Sequence, residues 1–498
     1  MMGKYQASLN NFFFNSLNNV IVIIYGILLI PLYFKFMSLS TYGAWLASGN
    51  IVTMLGMVES GMASVVTQKM AFSLAKNDKE AFLKQAGANI LSAGIFGAII
   101  LLSGISISPF IANWINVDSE DGRAITLAFI ISTVATSIGV ISSLLGAFPQ
   151  VWQETKTVGF MSTITGVIGI VITISSLFLG LGVVSLALGI LARALIHFCY
   201  ITWIDIKIWN HKNLPKPVFS KEMFFSLTKA CMYPFFSKLS TLLMNNSQNL
   251  IIATFMNPSV TAIYDLTNKI CSCAANFVNV TNGSFFALFS LSYGSNSKEN
   301  FNNVFNKVSF FFLLLLVSVV IYSFCFTEFF VLYWVGMDKF GGIILLLLLV
   351  LHTMFTQLKF FANNIMYSGG LVDNAAKLDI VAMFSYIGIL FALIHFLRIF
   401  AVPLAGIISG CFFSIIYFYN IEKRMSVNLK DFKHNLSCFF AIIFLGIVVH
   451  VLIREYLTSF VSQIMYLAVF SISYVSLIFW LFKPYVGELV LMIKNKWK

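Results

Sequence analysis

The chain has 498 residues, of which 59% are hydrophobic and only 10% are charged, and its formal net charge is +12. A soluble domain usually carries about 25% charged residues, so this composition excludes an ordinary soluble protein and predicts an integral membrane protein. The positive charge fits basic cytoplasmic loops that are attracted to anionic lipid headgroups. We therefore expect membrane lipids as partners and no nucleic acid.

Apolar stretches of membrane-spanning length fill most of the sequence. The first seven predicted spans cover residues 12–34, 42–67, 86–108, 124–148, 158–180, 183–205 and 228–250. The next seven cover residues 260–283, 308–332, 343–367, 377–397, 402–421, 435–453 and 462–482. This pattern predicts an all-α protein with about fourteen transmembrane helices and leaves no room for a soluble domain.

A weak internal repeat groups the predicted helices. Tyr42 and Tyr264 are separated by 222 residues, and Gly146 and Gly369 by 223 residues. With six spans in each half, the repeat predicts two lobes in a pseudo-two-fold arrangement, as in several transporter folds. The predicted segments are an N-terminal six-helix lobe at 1–210, a cytoplasmic linker at 211–226, a C-terminal six-helix lobe at 227–424, and a two-helix hairpin with a basic cytoplasmic tail at 425–498.

The distribution of lysine and arginine predicts the orientation. If the N-terminus is cytoplasmic, 21 of the 31 Lys and Arg residues fall in inward-facing segments and 5 fall in outward loops. Positive charge is enriched on the cytoplasmic side of membrane proteins, so both termini are predicted to be cytoplasmic. Only Lys4 precedes the first apolar segment, and no small-residue cleavage site follows it, so we interpret this segment as a retained helix.

Charged residues within apolar spans are costly and therefore mark candidate functional positions. Helical spacing of three or four residues also places polar residues on common faces. The faces are Asp265, Lys269, Ser272, Asn276, Asn279 and Gly283 in span 8; Lys238, Thr241, Asn245 and Asn249 in span 7; and His352, Thr356, Lys359 and Asn363 in span 10. Two interpretations are open. These faces either bond to one another between helices or line a water-filled cavity whose lysines attract an anionic group.

Two further positions lie in the first half. Arg193 is followed one turn later by His197, a pair that either binds an anion or anchors span 6 near the inner face. Glu59 lies in the segment GMVESGM, where it is either a proton or cation site or the partner of a lysine. The histidines lack metal-ligand spacing, and we find no nucleotide loop or nucleophile motif. We therefore expect no metal, no cofactor and no enzymatic activity.

The stretch PLYFKFMSLSTYGAW, from Pro31 to Trp45, resembles the signature between the first two helices of polysaccharide flippases. In that signature Pro-Leu-Tyr, a basic residue and Tyr-Gly-x-Trp recur. Gly56 to Gly61 occupies the place of the family's acidic and glycine-rich segment. This family comprises the O-antigen or Wzx-type transporters of the multidrug, oligosaccharidyl-lipid and polysaccharide (MOP) superfamily.

The resemblance implies flipping of an undecaprenyl-diphosphate-linked oligosaccharide, an O-antigen or similar repeat unit, from the inner to the outer leaflet of the bacterial inner membrane. Transport would use alternating access through a cationic cavity, with polysaccharide polymerase and chain-length machinery as candidate partners. The candidate diphosphate-binding residues are Lys238, Lys269, Lys359 and Arg193. The candidate polar lining is Asn245, Asn249, Asn276, Asn279, His352 and Asn363, and the candidate coupling groups are Glu59 and Asp265.

Other functions remain as alternatives. The runner-up is a proton- or cation-coupled exporter of another solute, of the multidrug type, although exporters of this superfamily generally have twelve helices. A lipid II flippase is less favoured because span 1 carries only asparagines, Asn15, Asn18 and Asn19, where that protein has a basic and acidic cluster. A repeat-unit polymerase needs a large outward loop, and a structural scaffold would lack a continuous wet cavity.

Overall fold

The computed structural model describes residues 25–59, 61–117, 119–152, 154–294, 297–457 and 459–481. Every regular element in these ranges is helical, which confirms the predicted all-α class. The helices of the first half are α1 Ile30–Phe36, α2 Leu39–Gly56, α3 Met62–Ala75, α4 Lys79–Ile107, α5 Ile111–Trp114, α6 Ser119–Leu145, α7 Ala147–Val151, α8 Thr155–Phe178 and α9 Val184–His211. The remaining helices are α10 Lys221–Asn246, α11 Gln248–Phe255, α12 Pro258–Gly294, α13 Lys298–Trp334, α14 Ile343–Ser368, α15 Val372–Leu397, α16 Ala401–Met425, α17 Lys430–Ile453 and α18 Phe460–Leu481.

Each predicted span coincides largely with helix wherever it is described. Residues 12–24 of span 1 and residue 482 of span 14 lie outside the described residues. Within the described ranges, nine stretches are long and apolar enough to cross a membrane, and one of them, Val372–Met425, contains both α15 and α16. The chain is thus a multi-pass membrane protein, while the count of fourteen stays a prediction. Helices α2, α10 and α12 fall outside the nine, and α10 and α12 carry two of the predicted polar faces.

Several of the predicted spans are not continuous helices, and span 4 is interrupted at Gly146, between α6 and α7. Span 2 is interrupted after α2 by a 3-10 turn at Met57–Glu59, and α3 starts after Gly61, whose φ of +88° is left-handed. Span 7 is interrupted at Ser247, between α10 and α11. A hydropathy window averages over about 20 residues, so it does not detect a local break. Broken helices occur at membrane depth where the backbone is buried in protein or lines a cavity.

The described residues form two compact units. The first contains the described residues of Met1–Asp265 together with Asp379–Ile399, and the second contains those of Leu266–Leu378 and Phe400–Lys498. The predicted lobes and their boundaries stay predictions.

Close helix contacts at small residues organise the first unit. A Cβ at Gly43 of α2 would overlap the carbonyl oxygen of Pro258, at the start of α12. On the same helix, Thr41 Oγ1 donates a hydrogen bond of 2.6 Å to Asp121 Oδ2 of α6. Lipid tails are as apolar as the side chains, so membrane helices associate through close packing and interhelical hydrogen bonds. The segment that carries the flippase signature is therefore packed against the start of α12 and against α6.

The connection between α9 and α10, residues 212–220, packs against the first unit. The Val218 amide donates a hydrogen bond of 3.2 Å to the Leu83 carbonyl of α4. A Cβ at Gly87 would overlap the Val218 carbonyl oxygen, and Trp209 Nε1 donates to the Pro215 carbonyl at 3.1 Å. The segment predicted as a linker is thus attached to α4 and to the end of α9.

The second unit is built around α13, which is buried along most of its length. Phe312 of α13 stacks on Phe361 of α14, with ring centroids 4.0 Å apart. Near the other end of α13, Glu328 pairs with Arg454, which follows α17, at 3.5 Å. Aromatic packing and this half-buried ion pair join α13 to α14 and α17.

Candidate functional site: a charged cavity at a helix break

The break between α2 and α3 places Glu59 outside regular helix. Glu59 ends the 3-10 turn that follows α2, and its Oε1 accepts a hydrogen bond of 3.1 Å from Ser143 Oγ of α6. Gly61 supplies the left-handed conformation from which α3 starts, which glycine adopts without steric cost. The carboxylate is therefore held between a helix break and a neighbouring helix.

Arg193 is positioned by a glycine contact between α8 and α9. A Cβ at Gly189 would overlap Thr173 Oγ1 and would lie 2.6 Å from the Gly169 carbonyl oxygen. A Cβ at Gly169 would lie 3.2 Å from Arg193 Cβ. The base of Arg193, one turn after Gly189, therefore packs against the α8 backbone. The Arg193 side chain is exposed, and it has no ion-pair partner among the described residues.

Glu59, Arg193 and His197 line one cavity of about 540 Å³ within the first unit. The walls come from α2, α6, α8, α9 and α10, and Thr53, Thr136, Ser143 and Ser162 contribute hydroxyl groups. His197 Nδ1 is buried and has no hydrogen-bond partner in the part of the chain that the structure describes. The volume lies in the range of about 300–1,000 Å³ that is typical of ligand pockets.

The cavity combines one cationic and one anionic side chain, Arg193 and Glu59. An exposed guanidinium presents a fork of donors that matches phosphate and carboxylate groups, and hydroxyl groups supply further donors and acceptors. Two candidates that lie 134 positions apart in the sequence, Glu59 and Arg193, are thus brought together.

The polar face of α12 has several environments. Asp265 is half-buried and lies close enough to Tyr42 to interact electrostatically. Further along the helix, Lys269 is half-buried and interacts with other groups, while Asn276 and Asn279 are exposed. The exposed asparagines are available for a ligand, and the residues nearer the helix start are engaged within the protein.

The polar face of α14 packs mainly against α16. Asn363 Nδ2 donates a hydrogen bond of 3.1 Å to Tyr417 Oη, and a Cβ at Gly406 would overlap the His352 ring. Lys359 is only 2% exposed, and its Nζ lies 5.1 Å from the centroid of the Phe360 ring. In this part of the second unit the polar groups take part in helix packing, as one of the two sequence interpretations proposed.

The polar face of span 7 is described in part. The side chains of Lys238 and Asn245 lie outside the described residues. Asn249 is half-buried in α11, and its carbonyl accepts a hydrogen bond of 3.5 Å from Thr261 Oγ1. Its neighbour Gln248 is buried, and Gln248 Oε1 accepts a hydrogen bond of 2.8 Å from Tyr264 Oη. Tyr264 of the predicted repeat therefore anchors the helix that follows the break.

The sequence interpretation missed three residues of interest. Ser143, which bonds to Glu59, carries no charge that would single it out in an apolar span. Asp205 is the last residue of predicted span 6, and it lies inside α9, which continues to His211. Both of its carboxylate oxygens are buried without a hydrogen-bond partner in the described ranges. Asp379 is 4% exposed within α15. The signal for both aspartates was present, because each lies at the edge of an apolar stretch.

The apolar helices of the described ranges define a class, the multi-pass membrane proteins. The fold is similar to an inward-facing multidrug resistance MATE family transporter of the MOP superfamily, with a TM-score of 0.67 and 15% identity over 82% of this chain and 94% of that chain. It is also similar to the lipid II flippase MurJ in an inward closed conformation, with a TM-score of 0.65 and 15% identity over 95% of this chain and 100% of that chain.

The chain belongs to the polysaccharide biosynthesis protein family, whose sequence profile matches residues 8–292, more than half of its length. This match and the shared fold confirm the resemblance to Wzx-type flippases of the MOP superfamily. No protein with a curated description matches the chain.

Proposed function

We propose that this protein flips an undecaprenyl-diphosphate-linked oligosaccharide, an O-antigen or similar repeat unit, from the inner to the outer leaflet of the bacterial inner membrane. It acts as a transporter and not as an enzyme, with both termini in the cytoplasm. The family and the fold support a flippase for a lipid-linked substrate. The polysaccharide polymerase and the chain-length machinery are candidate partners that would use the flipped product.

The observation that carries the proposal is the cavity shared by Arg193 and Glu59. A diphosphate is an anion, and an unpaired guanidinium binds phosphate oxygens in a bidentate geometry. The cavity volume of about 540 Å³ suits a diphosphate or one attached sugar, and the remaining oligosaccharide needs further polar surface. Asn276 and Asn279 of α12 are exposed amides of the kind that hydrogen-bond to sugar hydroxyls.

In this proposal Glu59 couples transport to a proton or a cation. Glu59 shares its cavity with Arg193, so the charge state of the carboxylate changes the electrostatic attraction of the cavity for the diphosphate. Asp265 is a second coupling candidate, and Lys238, Lys269 and Lys359 stay candidates for diphosphate contact. Of these lysines, Lys359 is buried in this structure and would need to become exposed to reach the substrate.

The test is complementation of cells that lack the protein, with surface polysaccharide and the inward-facing lipid-linked unit as the two readouts. We expect loss of the polymer, accumulation of the unit and full rescue by the wild type. At matched membrane levels, Arg193→Ala should retain less than about a tenth of the rescue, which corresponds to about 1.4 kcal/mol. Arg193→Lys should restore part of it, because lysine keeps the charge but not the fork.

Lys377→Ala is the matched control, because Lys377 is exposed on α15 and lies outside the cavity. It should rescue fully. Normal surface polysaccharide in cells without the protein would contradict the proposal. That result would favour the proton- or cation-coupled exporter, for which substrate-dependent efflux is the measurement to make next.

A further inference from the structure

An apolar groove of about 480 Å³ lies between α14, α16 and α17, within the second unit. Phe355 of α14, Ile415 of α16 and Phe440 of α17 form part of its walls. The hydroxyl of Ser414, which also lines the groove, donates a hydrogen bond of 2.7 Å to the Gly410 carbonyl, so it needs no other partner. The volume is typical of ligand pockets, and the wall favours a hydrocarbon occupant.

The groove has the depth of one membrane leaflet. Along α16 its lining runs from Cys411, near the middle of the helix, to Glu422, one turn before the helix end at Met425. Eleven residues of α-helix extend about 16 Å at 1.5 Å per residue. The hydrocarbon core of a bilayer is about 30 Å thick, so one leaflet spans about 15 Å. A chain in this groove would reach from the headgroup level to the bilayer midplane.

The open end of the groove is ionic. Lys433 Nζ and Glu422 Oε2 are 3.0 Å apart, and both side chains are well exposed. An exposed ion pair contributes only about 0–1 kcal/mol, so a competing anion can displace the carboxylate. The surrounding segment is basic, because Lys423, Arg424 and Lys430 accompany Lys433 and only Asp431 accompanies Glu422. Asp431 already accepts a hydrogen bond of 3.0 Å from Asn306 Nδ2.

We propose that this groove binds an anionic glycerophospholipid of the bilayer, with one acyl chain between α14, α16 and α17 and the headgroup phosphate on Lys433. Basic pockets between membrane helices bind anionic headgroups in this way. The combination of a leaflet-deep apolar groove and a basic opening matches both parts of such a lipid. The site is separate from the cavity of Glu59 and Arg193, and the proposal does not depend on the transported substrate.

The first test measures the binding of phosphatidylglycerol to the purified full chain by native mass spectrometry. Lys433→Gln should lower the affinity of the tightest-bound lipid about fivefold, the equivalent of about 1 kcal/mol for one cationic side chain near a headgroup. Glu422→Gln should raise the affinity, because it removes the competing carboxylate. Lys377→Gln, another exposed lysine of the same unit, is the control and should leave the affinity unchanged.

The second test fills the groove. Ile415 is 65% exposed and lines the groove, so Ile415→Trp should occupy the acyl site without disturbing the fold. Ile408→Trp is the matched control, because Ile408 is 44% exposed on the same helix outside the groove lining. We expect Ile415→Trp to abolish the tightest binding event and Ile408→Trp to retain it, with equal melting temperatures for both variants.

Three results would overturn the proposal. The first is an equal loss of affinity in Lys433→Gln and Lys377→Gln, and the second is unchanged lipid binding in Ile415→Trp. The third is tighter binding of polyprenyl phosphate than of phosphatidylglycerol with the same sensitivity to both variants, which would assign the groove to the tail of a transported lipid. Lipid binding to the purified protein is measured without transport. These outcomes can therefore be interpreted even if the flippase proposal is wrong.

Discussion

The cavity of the first unit and the polar face of α14 in the second unit contain similar residue types but differ in what those residues contact. In the first unit, Arg193 is exposed and lines the same cavity of about 540 Å³ as Glu59. On α14, Asn363 bonds to Tyr417, and Lys359 is 2% exposed. Both regions have polar residues at helical spacing. Those of the first unit line open volume, whereas the contacts described for the α14 face are with neighbouring side chains.

The difference lies in the residues opposite each polar face. Small residues on the neighbouring helix, such as Gly406 and Gly410 of α16, let α14 approach closely, and the space is then filled by His352 and Phe355. Near Glu59 the helix itself is broken, so its side chains do not continue a packed face. Helical spacing therefore identifies a polar face, and the opposing helix determines whether that face encloses a cavity.

The largest expected effect concerns Lys359. Lys359→Ala should lower the free energy of unfolding by about 2–5 kcal/mol, as truncation of long buried side chains to alanine does. Lys359→Met keeps most of the side-chain volume and should recover a large part of this loss. Melting temperatures in detergent measure both. A Lys359→Met variant that keeps its stability but abolishes polysaccharide export would contradict this expectation. The amine would then contact the substrate, and the polar face of α14 would be a binding surface like the cavity.

The glycine contact that positions Arg193 should give the next largest effect. Gly189→Ala forces a Cβ against Thr173 and the Gly169 backbone, and overpacking of this kind costs about 1–3 kcal/mol. Gly166→Ala on α8 is the control, because no atom lies within 4 Å of the added Cβ. We expect a lower melting temperature and reduced export only for Gly189→Ala. Equal behaviour of the two variants would show that this contact does not position α9.

Loss of the hydrogen bond to Glu59 should have a smaller effect. Ser143→Ala removes the donor at 3.1 Å, and a hydrogen bond of this kind contributes about 1 kcal/mol, which is about fivefold in a rate or an affinity. Surface polysaccharide should form about fivefold more slowly, with little change in melting temperature. Ser162→Ala, which removes another hydroxyl from the same cavity, serves for comparison. A larger loss of the rate of polysaccharide formation in Ser162→Ala would show that the important hydroxyl group of the cavity lies on α8.

The smallest expected effect tests the packing role of Asn363. A double-mutant cycle of Asn363→Ala and Tyr417→Phe should give a coupling energy of about 0.6 kcal/mol, typical of hydrogen bonds between membrane helices. Both single variants should export polysaccharide normally. If Asn363→Ala loses export and Tyr417→Phe exports normally, Asn363 contacts the substrate. The difference between the two regions would then be smaller.

The helical class and the approximate positions of the spans follow from hydropathy, because a chain in lipid must satisfy its backbone hydrogen bonds within each segment. The signature from Pro31 to Trp45 likewise indicated the family, because its residues are contiguous in the sequence. Ser38 Oγ accepts from the Thr41 amide at 3.1 Å at the start of α2, and Tyr42 is buried. These features depend on residues close together in the sequence, and the pattern of residue types is sufficient to predict them.

The site depends on contacts between distant residues. Arg193 and Glu59 were separate candidates in the sequence, and their meeting in one cavity follows from the break after α2 and the packing of α9 on α6 and α8. The burial of Lys359 likewise follows from the neighbours of α14. Residue types and their spacing predict which face of each helix is polar and which is apolar. Which helices approach one another, and at which glycines, depends on the packing of the whole unit and is not contained in any local pattern.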